Sequence, residues 1–227
     1  MAKKKQGSDT GMEGFEGALT KTEQFIEDNQ KWIIRIVTGI LAVVAIFIGV
    51  KRFYLKPLEE EAHSQMFVAE QYFETDSFNL ALHGDGNYVG FLQIIDDYGL
   101  TKASNLAEYY AGISFLHLGQ YEDAIEHLKS FKSKDKMVGP IATGAIGDAY
   151  VELGQKEMGL EYYLRAAGMS DNKFTAPMYL MKAGLVYENL GNYRQALETY
   201  ERVRKDYPEY SRSNNVEKYI TRSRLQS

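Results

Sequence analysis

The sequence predicts an all-α protein, in which one strongly apolar helix precedes a stack of helical hairpins that ends in a capping helix. Three observations lead to this fold class. Residues 32–50 form an apolar run with a single charge. Three later segments, 107–131, 144–167 and 180–203, align with one another on shared glycines. A polar stretch with helical spacing, residues 211–225, follows the last of them.

The apolar run from Trp32 to Val50 has 19 residues, and its only charge, Arg35, lies one turn from its start. A helix of this length covers about 28 Å, close to the ~30 Å hydrocarbon core of a bilayer. Apolar side chains occupy every face of such a helix, which argues against an amphipathic helix of a soluble core. We therefore predict a transmembrane helix over residues 32–55 and a soluble domain over residues 57–227.

A cleaved signal peptide is the alternative to an uncleaved anchor. Signal peptides have an apolar stretch of about 7–15 residues followed by a cleavage site of small residues. Here 31 residues precede the apolar run and a basic pair follows it, so the anchor is favoured. Aromatic and basic side chains at its two ends suit the membrane–water interfaces. They are Trp32, Arg35, Lys51, Arg52, Phe53 and Tyr54.

The segment before the apolar run divides into two parts. Residues 1–18 are rich in Gly, Lys and small polar residues, and we predict that they are disordered. Thr20 and Glu23 have the spacing of a capping box, which predicts that a helix begins there. We expect a short amphipathic helix over residues 19–31, either lying on the membrane or simply extending the span.

Charge and composition exclude several classes of function. Residues 57–227 contain 25 acidic and 17 basic residues, a net charge of −8, and residues 1–56 have a net charge of +3. An acidic domain without a basic stripe argues against nucleic acid as a partner. The chain has no cysteine, and its four histidines lack metal-ligand spacing. Because no catalytic motif appears either, we expect no enzyme activity, no metal and no cofactor.

The three aligned segments share the spacing of their small and large residues. Gly119, Gly154 and Gly191 lie 35 and 37 residues apart, and each is predicted to end a helix in the left-handed conformation. In each segment another glycine lies seven residues before the turn glycine, and a small residue lies five residues after it. These small residues would let the two antiparallel helices of a hairpin approach closely. Large residues would fill the space beside them, namely Phe115, Tyr150 and Tyr187 on the first helices and Leu128, Tyr163 and Tyr200 on the second helices.

This pattern resembles the tetratricopeptide repeat, a helix–turn–helix unit of about 34 residues. The resemblance implies a solenoid of stacked repeats with a polar terminal helix as its cap. A degenerate first repeat would precede three regular ones, with an insertion at residues 76–87 that forms either a loop or a short extra helix. The predicted units are the degenerate repeat 57–100, the repeats 104–132, 140–169 and 177–208, and the capping helix 211–225.

In such solenoids the first helix of each repeat lines a concave surface. Most of the residues that the repeat register places there are apolar, which predicts a groove for an apolar or unfolded segment or for a partner helix. The alternative is that several of these residues pack between repeats. The candidate partner-binding residues are Leu106, Tyr109, Ile113, Leu116, Ile141, Asp148, Glu152, Met178, Met181 and Leu185.

The order of these segments is similar to that of the YfgM family of bacterial inner-membrane proteins. A capped N-terminal segment leads into one span with an aromatic and basic exit (KRFYLKPLEEEAHSQ), followed by an Ala- and Gln-rich helix, an insertion and the repeats. The resemblance covers roughly residues 20–227. It implies a cytoplasmic N-terminus and a periplasmic repeat domain. It also implies association with the SecYEG translocon and a PpiD-like prolyl isomerase, and a chaperone-like role toward unfolded exported polypeptides.

The charges beside the span leave its orientation open. Three basic residues lie close to the span on each side, and only Lys3, Lys4 and Lys5 add to the N-terminal side. The positive-inside rule therefore favours a cytoplasmic N-terminus weakly. Two other functions stay open at this point. One is an adaptor that faces the cytoplasm and assembles a signalling, division or organelle-surface complex. The other is a structural subunit of a larger envelope machine.

Overall fold

The computed structural model describes the backbone of residues 10–227, and it describes side chains for Phe25 and from Asp28 onward. All secondary structure in this part of the chain is helical, which confirms the prediction of an all-α fold for these residues. The chain divides into two compact units, residues 1–56 and residues 57–227. The first half of the predicted disordered tail, residues 1–9, lies outside the described residues.

The first unit contains one long helix, α1, Thr10–Val50, followed by a π-helical turn, Lys51–Leu55. This differs from the prediction, because α1 already includes the second half of the tail that we expected to be disordered. Residues 19–31 are also part of α1, which corresponds to the second of the two alternatives for this segment, an extension of the span. Residues 18–38 contain neither Gly nor Pro. Since nucleation is the costly step of helix formation, a helix that has formed in the apolar run extends readily through such a segment.

One helical stretch in the described residues, Asp28–Glu74, is long and apolar enough to cross a membrane by length and composition. A signal sequence or the core helix of a soluble protein can satisfy the same criterion. The most apolar part of this stretch contains no buried residue, which is the opposite of what a core helix shows.

The second unit begins with three helices that precede the regular repeats. The insertion contains a short helix, which is one of the two forms expected for it. Asp85 orders the rest of it, because its side chain accepts hydrogen bonds from the backbone N–H groups of Asn87 (2.9 Å) and Tyr88 (2.8 Å) and from the hydroxyl of Tyr72 (2.9 Å). The three helices are α2, Lys56–Glu74, α3, Phe78–His83, and α4, Phe91–Asp97.

Three helical hairpins follow, and two short helices close the stack. The first helices of the hairpins are α5, Lys102–His117, α7, Val138–Glu152, and α9, Thr175–Asn189. The second helices are α6, Tyr121–Ser130, α8, Lys156–Met169, and α10, Tyr193–Asp206. The terminal helices are α11, Pro208–Ser213, and α12, Val216–Gln226.

The turn glycines adopt the predicted left-handed conformation. Gly119, Gly154 and Gly191 have φ angles of 76°, 76° and 75°. The N–H of the next residue then donates to the carbonyl five positions back, as from Gln120 to Phe115 at 2.9 Å. This hydrogen bond satisfies a carbonyl that the helix end would otherwise leave unpaired.

Glycines also permit the close approach of the two helices in each hairpin, as predicted. A Cβ atom built on Gly147 would lie 2.7 Å from the ring of Tyr163, and one on Gly112 would lie 2.5 Å from Leu128. Neither distance leaves room for a methyl group, so the second helix packs against bare backbone at these points.

The capping segment differs from the prediction of one helix over residues 211–225. It contains α11 and α12, which are separated at Asn214 and Asn215. Asn215 has a φ angle of 50°, in the left-handed region. Asparagine tolerates this conformation better than most residues, so the Asn pair ends one helix and allows the next to begin in a new direction.

Glu59 of α2 fixes the beginning of α5. Its carboxylate accepts hydrogen bonds from the backbone N–H groups of Lys102 (2.7 Å) and Ala103 (3.2 Å), while Thr101 caps the same helix by accepting from Ser104 (3.0 Å). A carboxylate at a helix N-terminus is favourable by about 0.3–1 kcal/mol. The helix that follows the apolar segment is thereby joined to the first regular repeat.

Candidate protein-binding face

The first helices of successive repeats form one continuous surface. Helix α5 contacts α7, and α7 contacts α9. Side chains of α12 bond to α9 in turn, so α12 continues the row. We call the surface of α5, α7, α9 and α12 the first-helix face. In solenoid proteins such a surface is the concave one that binds partners.

The structure places the ten predicted residues at different depths in this face. Two are exposed, Glu152 and Leu185, and the Leu185 side chain is 41% exposed. One is buried, Met181. The other seven are half-buried, namely Leu106, Tyr109, Ile113, Leu116, Ile141, Asp148 and Met178.

The half-buried apolar residues pack between repeats as well as facing outward. Leu106 packs against the core formed by residues of α2 to α6, whereas Tyr109 and Ile113 pack against the core between α6 and α7. The ring of Tyr109 lies 5.3 Å from that of Phe131, and burial raises the pKa of its hydroxyl. This end of the face is therefore tied to the core and offers a partner only the outer edges of these side chains.

Met181 does not face the groove as predicted. It is only 8% exposed and belongs to the core that joins the second and third repeats. The repeat register correctly places Met181 on the inner side of α9. It could not show that atoms of the neighbouring repeat cover the side chain.

Asp148 is held by two side chains and is not a free carboxylate of the groove. Lys182 of α9 donates to both of its oxygens, at 2.6 and 2.8 Å, and the hydroxyl of Tyr163 donates to it at 2.6 Å. Burial, and then the charge of Asp148, raise the pKa of Tyr163. The Lys182 ammonium also lies 5.7 Å from the ring centre of Tyr179. The charge of Asp148 is thus compensated within the protein.

The sequence analysis missed Tyr179, which fills a notch in the middle of the face. Its ring occupies the space where a Cβ atom of Gly144 would lie, and its hydroxyl donates to the carbonyl of Ile141 at 3.3 Å. The sequence shows that a large and a small residue have changed places here. Tyr179 is the large one, since the preceding repeats have Ala107 and Ala142 at its position. Gly144 in turn stands where the neighbouring repeats have a large side chain.

One exposed region of the face is a depression of about 540 Å³ between α9 and α12. An ion pair spans it, because Arg222 of α12 donates to both oxygens of Glu188, one of them at 3.1 Å. This hydrogen bonding raises the pKa of Arg222. Only Leu185 of the lining was predicted from the sequence. The lining residues are Leu185, Glu188, Asn189, Tyr193, Arg222 and Gln226.

Two of the four histidines make contacts that favour a structural role. His127 lies 2.6 Å from a carboxylate oxygen of Glu108, which joins α5 to α6. The ring of His117 stacks on that of Phe78 at 4.4 Å, which joins α5 to α3. Within the described residues no three His, Asp or Glu side chains are grouped so that they could hold a metal ion.

Comparison with known proteins identifies the repeats. Residues 106–135 and 179–210 match one family of tetratricopeptide repeats, and residues 144–173 match another. These segments overlap the three regular repeats that we predicted. No curated protein sequence matches the chain.

Solved structures with a similar fold include two crystal structures of MamA. The first has a TM-score of 0.55 and 19% sequence identity, and the alignment covers 74% of this chain and 92% of that chain. The second has a TM-score of 0.52 and 18% identity, with coverage of 70% and 94%. At this level of identity the likeness shows the fold alone. The chain thus contains tetratricopeptide repeats in an all-helical solenoid-like fold, an architecture that serves as a scaffold for interactions between proteins.

Proposed function

We propose that this protein is a non-enzymatic scaffold anchored in a membrane by its apolar helix, and that its first-helix face binds another protein at the membrane surface. The observation that carries the proposal is the presence in one chain of tetratricopeptide repeats and of an apolar helical stretch whose side chains are not covered by the protein. The repeats supply the binding surface, and the helix supplies the attachment.

The exposure of the apolar helix supports the membrane anchor. Leu41, Val43, Ile46 and Phe47 are each more than 60% exposed. Burying one such side chain contributes about 1.5–3 kcal/mol, so a helix with many of them needs an apolar environment. The predicted interface residues are exposed as well, which suits contact with lipid headgroups. These are Trp32, Arg35, Lys51, Arg52, Phe53 and Tyr54.

The resemblance to the YfgM family makes this proposal more specific. The protein would be a single-pass protein of the bacterial inner membrane, with its N-terminus in the cytoplasm and its repeat domain in the periplasm. Its partners would be the SecYEG translocon and a PpiD-like prolyl isomerase, and it would receive unfolded exported polypeptides. The nearly equal charges on the two sides of the span support a second candidate, a repeat adaptor that faces the cytoplasm.

Cysteine labelling tests both the anchor and its orientation. Because the chain has no cysteine, Lys134→Cys on an exposed loop and Ser8→Cys near the N-terminus each create a single reactive site. Cells with a permeabilised outer membrane are treated with a membrane-impermeant maleimide. We expect labelling of the Lys134→Cys chain only, with labelling of the Ser8→Cys chain after lysis of the inner membrane.

The other labelling patterns have distinct meanings. The reverse pattern would place the repeats in the cytoplasm and support the adaptor. Labelling of both variants in unlysed cells would contradict a membrane-spanning anchor, since both ends would then lie outside the inner membrane.

A photo-crosslinking amino acid at Leu185 tests the first-helix face. The matched control position is Gln195, which is exposed on the second helix of the same repeat. We expect crosslinks to a partner from position 185 and none from position 195, because only the former lies beside the depression between α9 and α12. Crosslinks from position 195 alone would show that another face binds. Crosslinks from position 185 that include no translocon subunit would contradict the Sec partnership and leave the scaffold proposal intact.

A further inference from the structure

The outer face of α8 differs from the outer faces of the equivalent helices α6 and α10. When the three hairpins are aligned on their turn glycines, Met158 corresponds to Asp123 in α6 and Gln195 in α10. Leu164 corresponds to a lysine in α6 and a glutamate in α10. Both apolar side chains are 38% exposed. Helix α8 therefore presents apolar groups to solvent at positions where its two neighbours present polar ones.

Met158 begins a line of exposed residues along α8 that has a symmetric order, whereas Leu164 lies beside this line. Met158, Glu161, Arg165 and Gly168 follow one another at intervals of three, four and three residues, and all four are exposed. This spacing places them in one line along the helix. We call them the α8 stripe. Read in either direction, the spacing is the same, with one acidic and one basic residue at the two inner positions.

The two charges of the stripe have no ionic partner within the described part of the chain. Glu161 and Arg165 are four residues apart, the distance at which other pairs in this protein do form intrahelical ion pairs, such as Arg194 with Glu198. Arg165 instead lies over the ring of Tyr162, at 6.0 Å from its centre. Both charges are thus available to a partner outside the chain.

Gly168 provides space at one end of the stripe. A Cβ atom built on it would meet nothing within 4 Å, so the backbone here is open to solvent. A glycine near the end of a helix lowers its stability relative to alanine. No close contact within the domain requires this glycine, in contrast to Gly147 and Gly159.

We propose that the α8 stripe is the contact through which two copies of this chain associate, with their α8 helices antiparallel about a two-fold axis. In that arrangement Met158 of each copy lies over Gly168 of the other, and Glu161 of each copy faces Arg165 of the other. Without a side chain on Gly168, the helices can approach to within the ~8–10 Å of packed helix pairs. The two-fold axis thus creates two equivalent Glu161–Arg165 ion pairs, as expected for an isologous interface.

The charge order favours a second copy in this orientation over a parallel one. Parallel helices in register would place glutamate against glutamate and arginine against arginine, which is unfavourable. The contact is small, because α8 has 14 residues and a stable interface buries about 800 Å² on each partner. We therefore expect a reversible dimer whose population rises with protein concentration.

Disulfide crosslinking of the full-length chain tests the arrangement. Because the chain has no cysteine of its own, any disulfide must form between the introduced positions. The variant Met158→Cys/Gly168→Cys, purified in mild detergent and mildly oxidised, is expected to form a covalent dimer. Each single variant is expected to stay monomeric. In the antiparallel pair, identical positions lie about 15 Å apart along the axis, well beyond the ~4.4–6.8 Å between Cα atoms joined by a disulfide. Residues 158 and 168 of one helix are also about 15 Å apart, so no disulfide can form between them within one chain.

Three results would overturn the proposal. The double variant could remain monomeric at high protein concentration. The single variants could crosslink as well as the double one, which would indicate a different register or parallel helices. The double variant expressed in cells could crosslink only to another protein, which would assign the stripe to a different partner.

Charge reversal provides an independent test of the same pairing. Glu161→Arg or Arg165→Glu alone would place like charges opposite each other twice, and we expect each to weaken dimerisation roughly tenfold in sedimentation equilibrium. The exchange Glu161→Arg/Arg165→Glu restores opposite charges and should restore the wild-type dimer. If the double exchange dimerises as weakly as the single variants while its circular dichroism is unchanged, the proposed pairing is wrong.

Discussion

Replacement of Gly144 with alanine is expected to destabilise the repeat domain by about 1–3 kcal/mol, the usual range for an extra methyl group in a packed core. The new Cβ atom would overlap the ring of Tyr179, which is only 3% exposed. The ring cannot move away easily, because it stacks near that of Tyr163 and its hydroxyl is bonded to the carbonyl of Ile141. For a domain of this size we expect Tm to fall by about 2–4 °C for each kcal/mol.

The matched control for this substitution is Gly168→Ala, also in a helix. Alanine is normally better than glycine in a helix by about 0.5–1 kcal/mol. No atom lies within 4 Å of the added methyl group at this position. At protein concentrations low enough to keep the chain monomeric, Gly168→Ala should therefore leave Tm unchanged or raise it slightly. Both variants are compared by thermal unfolding at the same protein concentration.

A second substitution shows whether the overlap with Tyr179 is the cause. Tyr179→Ala removes the ring and leaves a cavity, and on its own it is expected to cost about 3–5 kcal/mol. In the presence of Gly144→Ala, the added methyl group fills part of that cavity. The two changes together should cost clearly less than the total of their separate effects. Strict additivity, or an unchanged Tm for Gly144→Ala, would contradict the packing argument.

The features that could be predicted from the sequence are those set by local backbone chemistry. Gly119, Gly154 and Gly191 end their helices because a residue at positive φ carries no penalty when it lacks a Cβ atom. Gly147 and Tyr163 are a small and a large residue at a fixed spacing, and they meet as expected. Such features repeat in each hairpin, so one chain contains three examples of the same pattern.

The burial of the predicted binding residues could not be derived from the repeat pattern. The repeat register states which side of a helix a residue occupies, but burial depends on side chains of the next repeat. Met181 is covered by the core between the second and third repeats, and Asp148 is bonded by Lys182 from the following repeat. The pair of Asp148 and Lys182 joins residues 34 positions apart.

The N-terminal segment and the cap both differ from the prediction, each for its own reason. A composition typical of disorder does not prevent a helix when a strongly apolar helix follows without a break, because extension costs far less than nucleation. At the other end, Asn214 and Asn215 are polar residues in a polar helix, and nothing in their periodicity indicates a break. The left-handed backbone of Asn215 redirects the chain so that α12 can pack against α10.

The repeat domain is expected to lose stability steeply above pH 10. Burial raises the pKa of Tyr163, Tyr179 and Tyr200, and nearby carboxylates add to the effect, Asp148 for the first two and Glu188 for Tyr200. Since the pKa is higher in the folded protein than in the unfolded chain, these residues keep their protons in the folded state. Their contribution is complete below the unfolded pKa of about 10 and declines as the pH rises toward the folded values.

Each of these tyrosines should lower the free energy of unfolding by about 1.4 kcal/mol for each pH unit above 10, so the three together reach about 4 kcal/mol for each unit. Denaturant unfolding at pH 8, 10 and 11 measures this slope, and absorbance at 295 nm reports tyrosine ionisation. Tyr200→Phe keeps the buried ring and should reduce the slope by about 1.4 kcal/mol for each pH unit. Tyr88→Phe, at an exposed position, should leave the slope unchanged. If all tyrosines of the folded protein instead ionise near pH 10 while the helices stay intact, burial does not keep these three hydroxyls protonated.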